Sequence, residues 1–410
     1  MKKPQLSKLQ LKPIYTKFLH LFTSVLLVLV TPFILESLTP VSIQDLRDQS
    51  SNIYTGGEVK NYLAIVQEVT KEEISGQSEG QGKIGSYIDQ ELRLKIADGD
   101  KKSQIISIST QGPNDPSLKH KKGDRVVVRS EKDPETGEKY FTLSGRYRLN
   151  QLWVILAIFI VLIVLLTGIR GLTSVLGLLF SIYVVIYYLI PQIIVGGNVL
   201  ITTFITGVTI SVVSMLLSHG FTRKNFVATL STVITICIST LFAIFVVNFV
   251  NLSGIVSEEI AHLLNTDITS NLNIKGLLLS GVIISCLGVL DDVTSAQSSA
   301  IQEIIEANPE LSQKEVFVRG LKVGQEHIIS MVNTLALAYA GVSLPLLMLI
   351  SLFNFNSLWT IINDELILEE IVRALIGSIC LLMAVPITNF LSVKFLAKQD
   401  NTLKKLTSKL

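Results

Sequence analysis

Of the chain's 410 residues, 49% are hydrophobic and only 17% are charged, and the mean hydropathy is +0.51. That balance excludes a large soluble protein, which needs more charge to cover its surface. The formal charge of +2 excludes little, because in a membrane protein the distribution of charge matters more than its sum.

Several apolar runs reach about 20 residues, the length that spans a bilayer. The first, residues 18–35, follows a basic start (residues 1–17) with Lys2, Lys3, Lys8, Lys12 and Lys17. The run is long for a signal peptide and no small-x-small cleavage site follows, so an uncleaved transmembrane signal anchor is expected; cleavage is the alternative. A polar segment, residues 36–150, comes next. Seven further apolar runs lie at about 152–169, 172–190, 200–218, 226–250, 276–299, 327–351 and 371–393. The expectation is a polytopic α-helical membrane protein of about eight spans, seven of them in residues 151–395, with a basic tail at 396–410.

Basic residues set the orientation. With the N-terminus inside, the inner segments hold Arg170, Arg223, Lys224, Lys314, Arg319, Lys322 and a lysine-rich tail. The outer loops hold only Lys275, against Glu258, Glu259, Asp267, Asp364, Glu365, Glu369 and Glu370. Both termini are therefore expected in the cytoplasm, with residues 36–150 outside.

That outer segment carries strand signals. "YLAIVQEV", "ELRLKIA", "SQIISIST", "DRVVVRS" and "YFTLSGRYR" are rich in β-branched residues, and "ADGD", "QGPNDP", "KKGD" and "DPETGE" separate them as turns. Five or six short strands predict a small β-barrel or β-sandwich, OB-like or SH3-like, between spans 1 and 2. Nucleic acid is not an expected partner, because the 17 acidic and 17 basic residues between Asp45 and Arg148 balance and no basic stripe is interleaved with aromatics. His120 is the segment's only histidine and it has no cysteine. A structural or partner-binding module is expected there. Cys237, Cys286 and Cys380 all lie in apolar runs and read as small buried hydrophobes.

The chemistry gathers in "GVLDDVTSAQSSAIQEI", residues 288–304. Asp291 lies about 22 Å along a helix entered at Gly276, roughly two-thirds of the way across a bilayer core. A charge at mid-membrane costs at least about 2.5–3.5 kcal/mol. Asp291, Ser295, Ser298 and Gln302 share one helix face; Asp292, Ser295, Ser299 and Glu303 make an overlapping one. Adjacent residues differ by about 100°, so Asp291 is expected to face the bundle with Asp292 flanking it. No lysine or arginine is expected at that depth, Arg373 falls near the opposite face, and His327 is the only titratable base expected nearby. A proton, a metal cation, local donors or a wet cavity remain as the neutralising partner. Asn333 and Thr334 in one later span, and Asn389 beyond Pro386 in another, fall at similar depth and are expected to join Asp291 in one polar layer. Residues 301–325 read as an interfacial amphipathic element, with "NPELSQKEVF" turning into a second short helix.

Together with the outward β-rich segment, "GVLDDVTSAQSSAIQEI" and "GQEHIISMVNTLALAYAG" make the chain resemble the YibE/F-like multi-pass membrane proteins of bacteria, over about residues 50–395. "LTGIRGLTSVLGLLFS" and "LIPQIIVGGN" fit the same resemblance. Its most specific part is Asp291, Ser295, Ser298 and Ser299, followed by Asn333, Thr334 and Leu335. The resemblance implies an integral membrane location and brings no defined activity with it.

Two functions compete. One is a secondary transporter or channel-like permease of the bacterial cell membrane, coupled to H⁺ or a cation, with the carboxylates, hydroxyls and amides as the path for a small ion or solute. The other is a non-enzymatic assembly or sensing protein whose outer domain binds a partner or envelope component. Besides the lipid bilayer, a second copy or a related membrane protein is an expected partner. An enzyme is not expected: HExxH, GxSxG and P-loop motifs are missing, and two adjacent aspartates on one helix fit a membrane aspartic protease poorly. No cofactor is expected.

Overall fold

The computed structural model describes residues 30–31, 60–75, 87–113, 118–132, 136, 138–256, 260, 263–264, 272–352 and 358–407. The basic start and most of the expected signal anchor at 18–35 lie outside the described residues. The chain divides into two compact units, one within Ile43–Leu162 and the other within Ile163–Leu410.

The first unit is a single antiparallel sheet of β1 (Lys60–Ser75), β2 (Tyr87–Ile96), β3 (Ile105–Pro113), β4 (Arg125–Lys132) and β5 (Lys139–Arg146). Its order is β3-β2-β1-β4-β5. The edge strands β3 and β5 approach each other, so the sheet is nearly closed and reads as a barrel rather than a sandwich. Curvature comes from β1, whose pairing with β2 shifts register at Val66/Glu68 and again at Val69/Lys71; such bulges bend a strand and increase its twist. Alternation sends Ile88, Gln90, Leu92, Leu94 and Ile96 inward, where they meet Tyr62, Val66, Ile106, Val126 and Val128. The turn "KKGD" before β4 needs its glycine, because Gly123 has φ of +93°.

The helical part comprises α1 (Leu149–Thr167), α2 (Ile169–Ile194, continuous through a wide turn at Val185–Leu189), α3 (Val199–His219), α4 (Arg223–Phe249) and α5 (Ile274–Ala307). Beyond these lie α6 (Gln313–Val342), α7 (Leu344–Leu352), α8 (Leu358–Ile362) and α9 (Glu365–Thr407). Among the described residues, six helices, α1 to α5 and residues 365–397 of α9, are long and apolar enough to cross a membrane. The stretch expected as one span at 327–351 is instead the second half of α6 followed by α7, divided at Ser343. Pro345 two residues later explains the break, since it has no N–H to give and restricts the residue before it.

The second short helix expected after "NPELSQ" is the first half of α6. Ser312 opens it with a capping box, its side chain accepting from the Glu315 N–H while Glu315 accepts from the Ser312 N–H at 2.8 Å. Nothing then stops the helix for 30 residues. Gly320 and Gly324 within it are contact points: a Cβ on Gly320 would lie 2.2 Å from Asn389 Oδ1, and one on Gly324 2.4 Å from Val385 Cγ1. These glycines let α6 and α9 approach closely.

α5 packs against α3, α4, α6 and α9. Leu290 and Val293 on it are fully buried, as are Leu381 and Ala384 on α9. Polar residues share this interior: Thr203, Thr206, Ser211, Ser231, Thr232, Thr235, Thr294, Thr388 and Asn389 are also 0% exposed. Large apolar side chains point outward, among them Leu166, Phe245 and Leu241. Polar inside and apolar outside is the arrangement a lipid solvent selects.

Candidate functional site

α5 is fixed at its start by Asn273, whose side chain accepts from the Gly276 N–H at 3.0 Å. One turn in, Ser280 meets Thr203 of α3, oxygen to oxygen, at 2.6 Å. Further along, Asp291 faces α3, and Ser211 Oγ donates to Asp291 Oδ1 at 2.8 Å. Thr294 Oγ1 lies 2.7 Å from Thr232 Oγ1 of α4, and Ser298 Oγ donates to the Lys224 carbonyl at 2.9 Å. Asp292, adjacent on the helix, is exposed while Asp291 is partly buried, as the 100° offset requires.

α3 ends beside this stripe. Gly220, with φ of +78°, turns the chain, and Asn225 Nδ2 donates to both the His219 and Gly220 carbonyls, at 2.7 and 2.8 Å. Thr222 caps α4, accepting from the Asn225 N–H. This pinned turn holds His219 against α5, with Nε2 at 3.3 Å from Ser295 Oγ.

An open cavity of about 590 Å³ lies here, its polar lining including Arg170, Ser214, Ser218, His219, Asp291 and Asp292. The expectation that His327 is the only base near the aspartates is therefore corrected: His219 and Arg170 share their cavity. His327 lines a different one, with Gln297, Glu326 and Ser330. His219 escaped notice because it ends its span at the "SHG" turn, and its approach to α5 depends on how α3 and α5 pair. Arg373 makes its ion pairs on its own helix, with Glu369 at 2.5 Å and Glu370 at 2.7 Å. Among the described residues, Asp291 and Asp292 have no ion-pair partner within 4.0 Å.

The single polar layer expected from Asp291, Asn333 and Asn389 is not what the helices build. Asn389 donates to the Phe317 carbonyl at 2.7 Å and accepts from Gln297 Nε2 at 3.4 Å; Gln297 also donates to the Gly320 carbonyl at 2.9 Å. Gln297 is six residues, about 9 Å, beyond Asp291, so α5 carries two polar levels. Asn333 and Thr334 are exposed, and Thr334 Oγ1 bonds the Ser330 carbonyl of its own helix at 2.9 Å. Ser299 is half-buried on the flank.

Sequence reasoning on α5 alone missed Ser211, Thr232, Thr294 and Gln297. A signal for the first was present: Thr203, Thr206, Ser211, Ser214 and Ser218 fall on one face of α3. Among the described residues, no three His, Cys, Asp or Glu side chains converge as a metal centre.

A family model described as YibE/F-like protein matches residues 155–398. No curated protein and no solved structure matches the chain.

Proposed function

The chain belongs to the YibE/F-like family, and on that premise we propose that it is a secondary transporter of the bacterial cell membrane, coupled to H⁺ or a cation through Asp291. One observation carries this reading: a carboxylate within a membrane-length helix, bonded to a serine hydroxyl, opens on a cavity and has no cationic side chain within 4.0 Å among the described residues. A permanent charge placed so would be costly, whereas a carboxylate that exchanges a proton or cation is neutralised for part of each cycle. Asp292, His219 and Arg170, at the cavity wall, are the groups a charged solute or ion meets first. Ser295 and Ser298 fix the neighbouring turns of α3 and α4 against α5.

Eight spans, counting the run at 18–35 as one and the broken α6–α7 stretch as another, with both termini in the cytoplasm and the β unit outside, complete this reading, supported by the lysine and arginine distribution. The test uses the full chain in lipid vesicles, with H⁺ flux read by an entrapped pH dye and Na⁺ flux by an entrapped indicator. Changing both Asp291 and Asp292 to Asn is expected to abolish flux while membrane insertion is retained. Flux equal to that of the unaltered chain would sink the reading.

A further inference from the structure

Around Asp291 the structure assembles more oxygen than a proton needs. Ser211 on α3, Thr232 on α4 and Thr294 on α5 are each 0% exposed. Ser211 Oγ is 2.8 Å from Asp291 Oδ1. Thr294 Oγ1 joins Thr232 at 2.7 Å and also contacts the Asp291 carbonyl at 3.3 Å. Three helices thus bring three hydroxyls around Asp291, Ser211 onto its carboxylate and the paired Thr232 and Thr294 onto its backbone carbonyl.

We propose that this cluster is a binding site for a monovalent metal cation, Na⁺ in the first instance, held by Asp291, Ser211, Thr232 and Thr294. The proposal deepens the transport reading and rests on it, naming the coupling ion. Hard cations take oxygen ligands, and a carboxylate, hydroxyls and a carbonyl are that set. The charge count selects the valence. Only Asp291 is hydrogen-bonded into the cluster, while Asp292 lines the cavity beside Arg170 and His219, so one positive charge balances the carboxylate of the site and a divalent ion would leave an excess. For a cation of this size, ligand distances run about 2.3–2.6 Å; coordinated oxygens then sit roughly 3.4 Å apart, and the present 2.7 and 2.8 Å pairs reach that by opening about 0.6 Å. Access comes from the cavity that Asp291 lines.

The site is tested by binding, independently of transport. The full chain in detergent is unfolded by heat in NaCl and in choline chloride at constant ionic strength. A ligand that binds only the folded state raises the midpoint, by about 3–5 °C for a chain of this size with Na⁺ at a hundredfold excess over its dissociation constant. The rise is expected with Na⁺, smaller with K⁺, and lost in Asp291→Asn. Thr294→Val and Ser211→Ala, milder changes chosen to retain the fold, are expected to weaken the Na⁺ response at least tenfold in concentration. Equal midpoints in Na⁺, K⁺ and choline would overturn the site, as would a Na⁺ response unchanged in both hydroxyl variants. If the midpoints are equal while the double aspartate variant still abolishes H⁺ flux, the cation site falls and the transport reading stands with a proton as its ion.

Discussion

The two units of this protein place their polar groups in opposite ways. In the β unit the interior is apolar, with Leu92, Leu94, Ile96, Val126 and Val128 fully buried, and Gln90 and Ser130 are its buried polar side chains. Gln90 is satisfied three times: it accepts from the His120 N–H at 2.9 Å and donates to Glu72 and to the His120 carbonyl. In the helical unit the interior holds many buried Ser and Thr side chains besides Gln297 and Asn389, and the outside is Leu, Phe and Ile. The difference teaches which solvent each unit answers to. Water drives apolar area inward. A lipid solvent gives helices no such drive, so packing and internal hydrogen bonds hold them together and polar groups turn toward one another.

That contrast is broken or sharpened by substitution. The largest effect is expected in the β core, where Leu92→Ala removes a fully buried side chain and should cost about 2–5 kcal/mol; a loss under about 1 kcal/mol in denaturant unfolding would mean the sheet lacks a close-packed interior. Next comes Leu241→Asp, on the outer face of α4 and 65% exposed. It should cost about 3 kcal/mol of insertion free energy, read from the inserted fraction in a translocation assay. Ile105→Asp is the matched control, also exposed at 53% but on a strand of the β unit, and should stay within about 0.5 kcal/mol. Equal costs for these two would erase the distinction between the units.

Gln297→Leu takes a donor from the Gly320 carbonyl and from Asn389, and should cost about 1–3 kcal/mol by thermal unfolding in detergent, with no change in the β unit.

The smallest effect concerns pH. Burial, reinforced by Arg146 and opposed by Asp124, holds the His120 imidazole below its usual 6.5. The folded state then binds fewer protons than the unfolded state just below that value. His120 therefore adds stability above pH 6.5 that is lost as the pH falls through the folded value. Protease resistance of the β unit in the full chain should drop modestly over this range, and His120→Gln should flatten the drop.

Much of this was legible in the linear chain. Strand positions followed from alternation, since a period of two needs only neighbouring residues to declare a face. The bounds of α1 to α5 agree with the apolar runs within a few residues, apart from the C-terminal end of α5, which runs on as helix to Ala307. That Asp291 and Asp292 differ in burial was legible because both sit on one helix, whose geometry fixes the angle between them; which of the two faces inward depends on the rotation of that helix. His219 and Arg170 were missed as cavity neighbours because each ends or begins a separate helix, and only the packing of α2 on α3 and of α3 on α5 brings them together.

By itself, then, the sequence determined the membrane class, the strand-rich segment, the position of the paired acids along their helix and that the two cannot point the same way. Each of these depends on spacing within one element. Tertiary structure alone decided that Asp291 meets Ser211 across 80 positions of chain, that Thr232 and Thr294 join across 62, and that Asn389 serves a second level with Gln297 rather than the aspartate. Those pairings depend on how each helix rotates against its neighbours, and rotation is set by close contacts such as Gly320 against Asn389, which no periodicity within a single helix specifies.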